Sequence, residues 1–524
     1  MKVSNNFLSR DFKGWESQTK EVVLDNLKVD GQIPSWISGS LIANGPAQFE
    51  VGTTHFKHWF DGFAMIKKFT FDSGKVSFRN RFLLSEQYAK SNANGGLYKN
   101  GFETYAIEGQ GHIQRVLYTV KNLFQGQSSM LDDCNVHILK IGEHFGAVTE
   151  TSNIIKFDQN DLRTIGSLKF DDDLPAFAVS TAHPHLDVDT GEMINVLVEF
   201  GRENKHHIYK IAPNSLKREI IATYPPKGYP KEKQPFYVHS FSITPNYVIL
   251  FKTPLVLSPL KLLFNYTFND ALSYKKKIDY SSFVIINRKN GDIREIQTDP
   301  FICLHSANAY EHRNIDTHQN EIILDLVCYD MQSQSNIYSP LFLSDLKEKG
   351  MVDFDGTLKR YTVNLNTEKC HHRSLPAHSS PVEFPRINYK AVNGKKYNFL
   401  YTTAMTGSRP LKFYNSVQKI NLQDEKIQLW GEDNYYFGEP IFVPRNNDNS
   451  QGNDGVLLAI AYNDNTKCSS IVVIDAHSMQ KIGEAHLPIH LPFGLHGNFY
   501  RHNSCAEVDN ETVKTDHDTY MKDA

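Results

Sequence analysis

"SSFVIINRKNGDIREIQ", residues 281–297, sets an apolar run around Val284 to Ile286 before Asn290-Gly291 and follows it with a second alternating run. Apolar strand-forming residues on either side of an Asn-Gly pair are a strong short-range mark of a β-hairpin. "KKFTFDSGKVSFRNRF", residues 67–82, has the same form about Ser73-Gly74. A fainter repetition joins "FDQNDLRTIGSL" and "IDAHSMQKIGEA", where Asp158 and Asp475 close an apolar run eight positions before Gly166 and Gly483. Helical periodicity is scarce and is best in Ser258–Tyr274, with a shorter candidate around "SDLKEKG". No Gly/Ser-rich linker divides the chain, and "RNNDNSQGNDG" from Arg445 reads as a loop. So many strands in one undivided chain fit a β-propeller or another large all-β assembly.

The 524 residues are 40% hydrophobic and 22% charged, a composition that builds a large folded core rather than a disordered chain. With a formal net charge of −3 and no long Lys/Arg run, nucleic acid is not an expected partner. Six cysteines, Cys134, Cys303, Cys328, Cys370, Cys468 and Cys505, never form a CxxC, which argues for reduced thiols over a zinc ribbon or a disulfide framework. The N-terminal "MKVSNNFLSRDFKGWESQ" lacks a secretion-signal core, and no apolar run reaches the roughly 18 residues of a membrane span, so a cytoplasmic protein is expected.

Histidines stand in strand-like apolar segments at His183 and His185 in "STAHPHLDV", His239 in "FYVHSFSITPNYVILFK", His305 in "FICLHSANAYE", and His490 and His496 in "LPIHLPFGLHGNFY". A lone histidine in such a stretch is usually a hydrogen-bonded core residue; several spread along a propeller chain can be gathered at its axis as neutral ligands. "CHHRSLPAH", with Cys370, His371, His372 and His378, lacks a second pair at zinc-finger spacing and has charged, loop-forming flanks. His206 and His207 in "ENKHHIYK" read as a solvated turn, and His55 and His58 near "HWFDG" as packing residues. Glu150, Glu383 and Glu439 lie in otherwise apolar settings and need charge-assisted partners. Two arrangements satisfy them: three separate buried ion pairs, or three metal-bound histidines donating their free N–H groups.

Taken together and in order, "GSLIANGPAQFE", "HWFDGFAMIKKFTF", "TETSNIIKF", "TAHPH", "VHSFSITPNYVILF", "LHSANAYE", "VEFPRINY", "GEPIFVP", "DGVLLAIAY" and "LPFGLHGNFY" make the chain resemble the carotenoid cleavage oxygenases over nearly its whole length. The family includes carotenoid dioxygenases, retinoid isomerases and stilbene-cleaving enzymes, and the wording is most similar to the animal carotene-cleaving branch. The resemblance implies an all-β, seven-bladed β-propeller with a helical and loop cap over an axis that carries iron. It implies one domain over residues 1–505, with 506–524 as a polar tail. It further implies one Fe2+ held by His183, His239, His305 and His496, with His490 ordinary and with Glu150, Glu383 and Glu439 bonded in an unassigned pairing to His239, His305 and His496. The implied activity is dioxygenase cleavage of a carotenoid or apocarotenoid double bond by O2, giving aldehydes such as retinal. Stilbene cleavage, retinoid isomerisation and non-catalytic lipid binding stay open as alternatives on the same fold.

Two departures stand out. Ala43 replaces the arginine common before the early Asn-Gly-Pro, and Ala47 the following glycine, so that loop is expected to be built differently. "GFETYAIEGQGHIQRVLYTVKNLFQGQ" has neither the cysteine nor the proline of the Pro-Asp-Pro-Cys type segment of membrane-bound animal members. A polyene substrate nonetheless calls for an apolar entrance, for which "LVLSPLKLLFNYTF" from Leu255 and "VLYTVKNLF" from Val116 are the candidates. Each is either a peripheral membrane contact or a helix packed on the propeller.

Overall fold

The computed structural model describes residues 11–109, 111, 114, 117, 131–175, 178–227, 234–329, 337–351, 354–376, 380–408, 410–445 and 452–502. Seven antiparallel sheets of four to six strands form the blades of a propeller, with two small two-stranded sheets beside them. The 281–297 hairpin forms as the third and fourth strands of the fourth blade, Ser281–Asn287 and Ile293–Thr298, with Ile286 opposite Ile293. The Ser73-Gly74 hairpin joins Phe63–Asp72 to Lys75–Phe82 in the first blade, with both turn residues at positive φ, 50° and 79°.

The repetition seen at Asp158 and Asp475 has a physical basis. At Asp158, Asp187, Asn287, Asn314, Asn463 and Asp475 the side-chain oxygen accepts a backbone N–H two or three residues on. The residue four positions on then donates its N–H back to the first residue's carbonyl at 2.7–2.9 Å. That fifth residue has φ between 56° and 75° in every case, whether Leu162, Gly191, Gly291, His318, Lys467 or Met479. The short polar side chain offers the turn an internal partner, which offsets the strain of a left-handed residue that is not glycine. One loop design therefore closes hairpins in several blades.

Strands such as "EIILDLVCY" are apolar on both faces because each blade is sandwiched between two neighbours. Ile322, Leu324 and Leu326 pack toward Ile249, Phe283 and Ile285 of the fourth blade. Ile323 and Val327 face instead the large cluster of Trp59, Phe102, Tyr338 and Phe413 that caps the propeller. The ring is closed twice. Lys28–Gly31 adds a strand to the last blade against Gln480–His486, and Gly497–Arg501 adds one to the first blade against Gly39–Ala43.

Among the described residues helices are few and short. The stretch Ser258–Tyr274 is not one helix: Pro259–Leu263 and Phe268–Ala271 are separated by Asn265 at φ 56°, capped by Ser258 and Thr267, and flanked by the paired strands Leu255–Leu257 and Leu272–Tyr274. Leu343–Lys349 is helical as the sequence implies, and Glu86–Asn94, capped by Ser85 and ended by Gly95, is a helix that its periodicity did not reveal. The polar tail 506–524, most of the Arg445 loop and nearly all of the stretch from Val116 lie outside the described residues. No disulfide occurs among the described residues; Cys134, Cys303 and Cys328 are buried free thiols, and Cys370 and Cys468 half-buried ones. No described helix is long and apolar enough to cross a membrane.

Candidate metal centre

Each blade sends its inner edge strand to the axis, and six of these are His137–Ile141, Ala178–Ser180, Phe241–Ile243, Ile302–Arg313, Val382–Arg386 and Gly497–Arg501. At or near the starts of five of them stand His137, His239, His305, Glu383 and His496, while His183 follows the end of Ala178–Ser180 and Glu439 precedes the inner strand of the seventh blade, Ile441–Pro444. Hydroxyls peg neighbouring blades together at this level. Thr181 accepts the His183 N–H and donates to the His239 carbonyl; Ser240 donates to the Leu304 carbonyl at 2.5 Å; Ser242 and Ser306 meet at 2.6 Å.

Of the residues singled out in the sequence, His183, His239 and His305 bring one nitrogen each to within 4.8 Å of the others. His496 stands outside that tight group but beside it, its ring centroid 4.6 Å from His183 and 5.0 Å from His305. The three glutamates resolve into a definite pairing. Nδ1 of His239 bonds Glu150 at 2.5 Å, Nδ1 of His305 bonds Glu383 at 2.5 Å, and Nδ1 of His496 bonds Glu439 at 3.0 Å. His183 has no carboxylate partner, and its buried Nε2 has no hydrogen-bond partner among the described residues.

The carboxylates decide the tautomers. A histidine that donates from Nδ1 keeps a lone pair on Nε2, yet Nε2 of His239 and Nε2 of His305 face each other at 3.3 Å. Two lone pairs at that distance repel unless a positive charge lies between or beside them, and that charge is either a proton or a metal cation. The electrostatics agree. Burial opposes charge on His305, but the Glu383 carboxylate prevails and raises its pKa, while His305 in turn helps to lower that of Glu383 against the cost of burial. Burial, followed by the nearby imidazoles, holds His183 well below the ordinary histidine value, and burial lowers His496 although Glu439 opposes it. Burial works against ionisation of Glu439, yet Arg386 and His496 draw it down to about 2.

Each glutamate is itself held. The Tyr237 hydroxyl donates to Glu150, the Tyr329 hydroxyl to Glu383, and the Gly497 N–H to Glu439 at 3.0 Å, with Arg386 Nε 3.6 Å from the same carboxylate. Phe384, which follows Glu383, has φ 53° and donates its N–H to that carboxylate at 2.6 Å. This left-handed turn at a bulky residue is strained, and it lies where Glu383 faces His305 and the Phe384 ring stands 6.0 Å from the same imidazole.

Other histidines go elsewhere. His137 is a fifth imidazole at the centre, 5.3 Å from His496 between centroids, and was not singled out although "NVHILKI" begins an apolar run in the same way. Its nitrogens are both engaged, Nδ1 with the Ala182 carbonyl at 3.2 Å and Nε2 with Asn498 Nδ2 at 3.3 Å, so neither is free for a metal. His185 is tied to Tyr389 and the Phe241 carbonyl, and His490 to the Ser17 carbonyl. His58 is buried against the Tyr338 carbonyl. His206 and His207 are not a solvated turn: they lie in the strand Lys205–Ile211, His206 buried on the Phe236 carbonyl and His207 between Thr223 and Glu199. The strand's apolar residues begin only after the two histidines, which is why the segment looked polar. Cys370, His371 and His372 lie along the edge strand Lys369–Ser374, and His378 is outside the described residues.

Above the imidazoles opens a cavity enclosing, with its mouth, about 1020 Å³. His239, His305 and His496 border it, and its walls are mainly apolar and aromatic, with Phe60, Phe102, Phe268, Tyr338, Phe354 and Phe384. Such a cavity suits a long apolar ligand placed against the histidines.

The model of the family described as retinal pigment epithelial membrane protein matches residues 15–501. The chain belongs to that family. Within it and its relatives, the chain is 29% identical to β,β-carotene 15,15′-dioxygenase of Gallus gallus, covering 91% of this chain and 95% of that one. The Homo sapiens protein of the same name is 28% identical, covering 90% and 91%, and the mitochondrial carotenoid-cleaving dioxygenase of Pongo abelii 26%, covering 90% and 91%. In fold the chain is similar to cobalt-substituted Synechocystis apocarotenoid oxygenase, with a TM-score of 0.79 at 24% identity over 94% of this chain and 99% of that one. The seven-bladed propeller expected of the family is the architecture observed.

Proposed function

We propose that the chain is a non-heme iron(II) dioxygenase that cleaves a carbon-carbon double bond of a carotenoid or apocarotenoid with O2 to give aldehydes such as retinal. His183, His239, His305 and His496 hold the iron in this reading, and Glu150, Glu383 and Glu439 orient three of them. The observation that carries it is the facing pair of Nε2 atoms, locked by carboxylates behind them, at the base of an aromatic cavity. A set of neutral imidazoles suits a divalent transition metal, and the glutamates fix ring orientation and raise ligand basicity. Bound there, iron supplies the redox chemistry with O2 that the protein's own side chains lack. The chain supplies the rest: the aromatic walls exclude water and hold the polyene so that one bond lies against the imidazole cluster, and their ring faces stabilise positive charge that develops on it. Carotenoid-cleaving activity in the named relatives supports the same reading.

We also place substrate entry, and a peripheral membrane contact, at the helix Pro259–Leu263. Leu260 and Leu263 are 65% and 38% exposed there, a few residues before Phe268 in the cavity wall. Lys261 is turned back onto the Asp270 carbonyl at 2.7 Å, leaving the leucines as the outward-facing group. Replacing both by serine is expected to weaken sedimentation with phosphatidylcholine vesicles by roughly tenfold or more while leaving iron content unchanged.

The deciding experiment is anaerobic loading with Fe2+, followed by O2 and β-carotene in detergent micelles and chromatography of the products. Retinal as sole aldehyde, with O2 consumed, establishes central cleavage; two unequal aldehydes establish eccentric cleavage. A fully iron-loaded protein that cleaves no carotenoid, apocarotenoid or stilbene, yet isomerises retinyl esters without O2, overturns the dioxygenase.

A further inference from the structure

Between the first and seventh blades lies a second, smaller space, about 520 Å³ with its opening, lined by Glu439 and by residues 491–495 that lead to His496. Lys67 reaches into it from the strand Phe63–Asp72. The side chain is 1% exposed, and its only hydrogen bond among the described residues runs from Nζ to the Pro492 carbonyl at 3.4 Å. Directly opposite on the neighbouring strand is Ala43, too short to fill the space that both residues line.

An ammonium in such a place is costly, and a methionine of similar length would remove the cost of burying it. Burial draws Lys67 down to about 7, and, charged or neutral, its Nζ donates to the Pro492 carbonyl. What it holds is the segment that delivers His496. The Phe493 carbonyl accepts from Trp59 Nε1 at 3.1 Å, the Leu495 N–H donates to the Asn44 carbonyl at 3.0 Å, and the His496 carbonyl accepts the Asn44 N–H at 2.9 Å. Gly494 passes so close that a Cβ there would stand 3.1 Å from the Asn44 carbonyl and 3.3 Å from Lys67 Nζ. Glu439, on the wall of the same space, accepts from His496 Nδ1.

We infer that Lys67 is a positioning residue for His496: its amine pins the Pro492 carbonyl and so fixes the run of backbone that carries the imidazole to the axis. The consequence for metal binding rests on the iron reading above; the pinning itself does not.

The test compares the full chain with Lys67→Met and with the double variant Ala43→Lys/Lys67→Met, which moves the amine to the facing strand. In metal-free protein, hydrogen exchange over residues 491–496 is expected to quicken about tenfold in Lys67→Met while the melting temperature stays level or rises. With Co2+ as probe, affinity is expected to fall roughly tenfold and the visible band to change shape. The double variant is expected to restore both. A residue that merely filled space would lower melting and exchange protection together and would not be rescued from position 43. Unchanged exchange in Lys67→Met overturns the role of Lys67 and leaves the metal site standing. Failure of the unaltered chain to bind Co2+ overturns the metal site, and the exchange comparison still judges Lys67. Should Lys67→Met not fold, a folded double variant with protected residues 491–496 supports the inference, and one with unprotected residues overturns it.

Discussion

His183→Ala is expected to abolish oxygen-dependent cleavage and to leave a folded protein with little bound iron. Among the described residues His183 is the imidazole with no carboxylate behind it and a buried Nε2 without a hydrogen-bond partner, which leaves that nitrogen available to an ion at the axis. In the iron reading its removal takes away a ligand without stranding a charge. His137→Ala is the matched control. His137 is equally central, but both its nitrogens are spoken for by Ala182 and Asn498, so its loss is expected to cost stability more than iron. Iron content and O2 uptake measured on both variants separate the two roles. Wild-type turnover in His183→Ala would remove it from the ligand set, and an iron-free His137→Ala would add His137 to it.

Glu383→Gln is expected to be the most damaging change among the residues behind the ligands, with a loss of about 10–100-fold in iron affinity or turnover. Glu383 is 2% exposed and takes three donors at once: the His305 Nδ1–H, the Tyr329 hydroxyl and the Phe384 N–H. His305 Nδ1–H and the Phe384 N–H share one carboxylate oxygen and the Tyr329 hydroxyl uses the other, so a glutamine that keeps its oxygen toward His305 turns its N–H2 onto Tyr329, which must rotate from donor to acceptor. The charge-assisted bond to His305 becomes a weaker neutral one, and with it the hold on the tautomer that leaves the Nε2 lone pair free. Glu439→Gln is expected to do less. The Gly497 N–H and Arg386 share that carboxylate with His496, and its bond to Nδ1 is longer, 3.0 Å against 2.5 Å. Equal losses in the two variants, read as iron dissociation rates, would refute this ranking.

The blades were legible wherever a turn announced itself, as at Ser73-Gly74 and Asn290-Gly291, because hairpin chemistry is local. The Asp158 and Asp475 repetition was legible for the same reason, although its other copies hide behind different fifth residues. The histidines and glutamates were visible as polar groups in apolar runs, but which glutamate faces which histidine depends on contacts between residues 57 to 89 positions apart, and no local pattern records that. His137 stands in a run like those of the other axial histidines, and no local feature sets it apart from them; only the partners on its two nitrogens do. The Ser258–Tyr274 segment was misread because its apolar spacing suits a helix, whereas two capping hydroxyls and a left-handed Asn265 cut it in two.

The double closure of the ring has a consequence in time. A ribosome releases the chain from one end, and the blades bearing His183, His239 and His305 are complete long before residue 496 is made. Until Gly497–Arg501 zips onto Gly39–Ala43, the first blade lacks its innermost strand and His496 has no fixed address. A chain that stops before this strand carries three of the four axial imidazoles and most of the sheets but lacks the fourth. If all four hold the metal, as proposed, such a chain is expected to bind it weakly, and loading would then report that synthesis had run to its last strand.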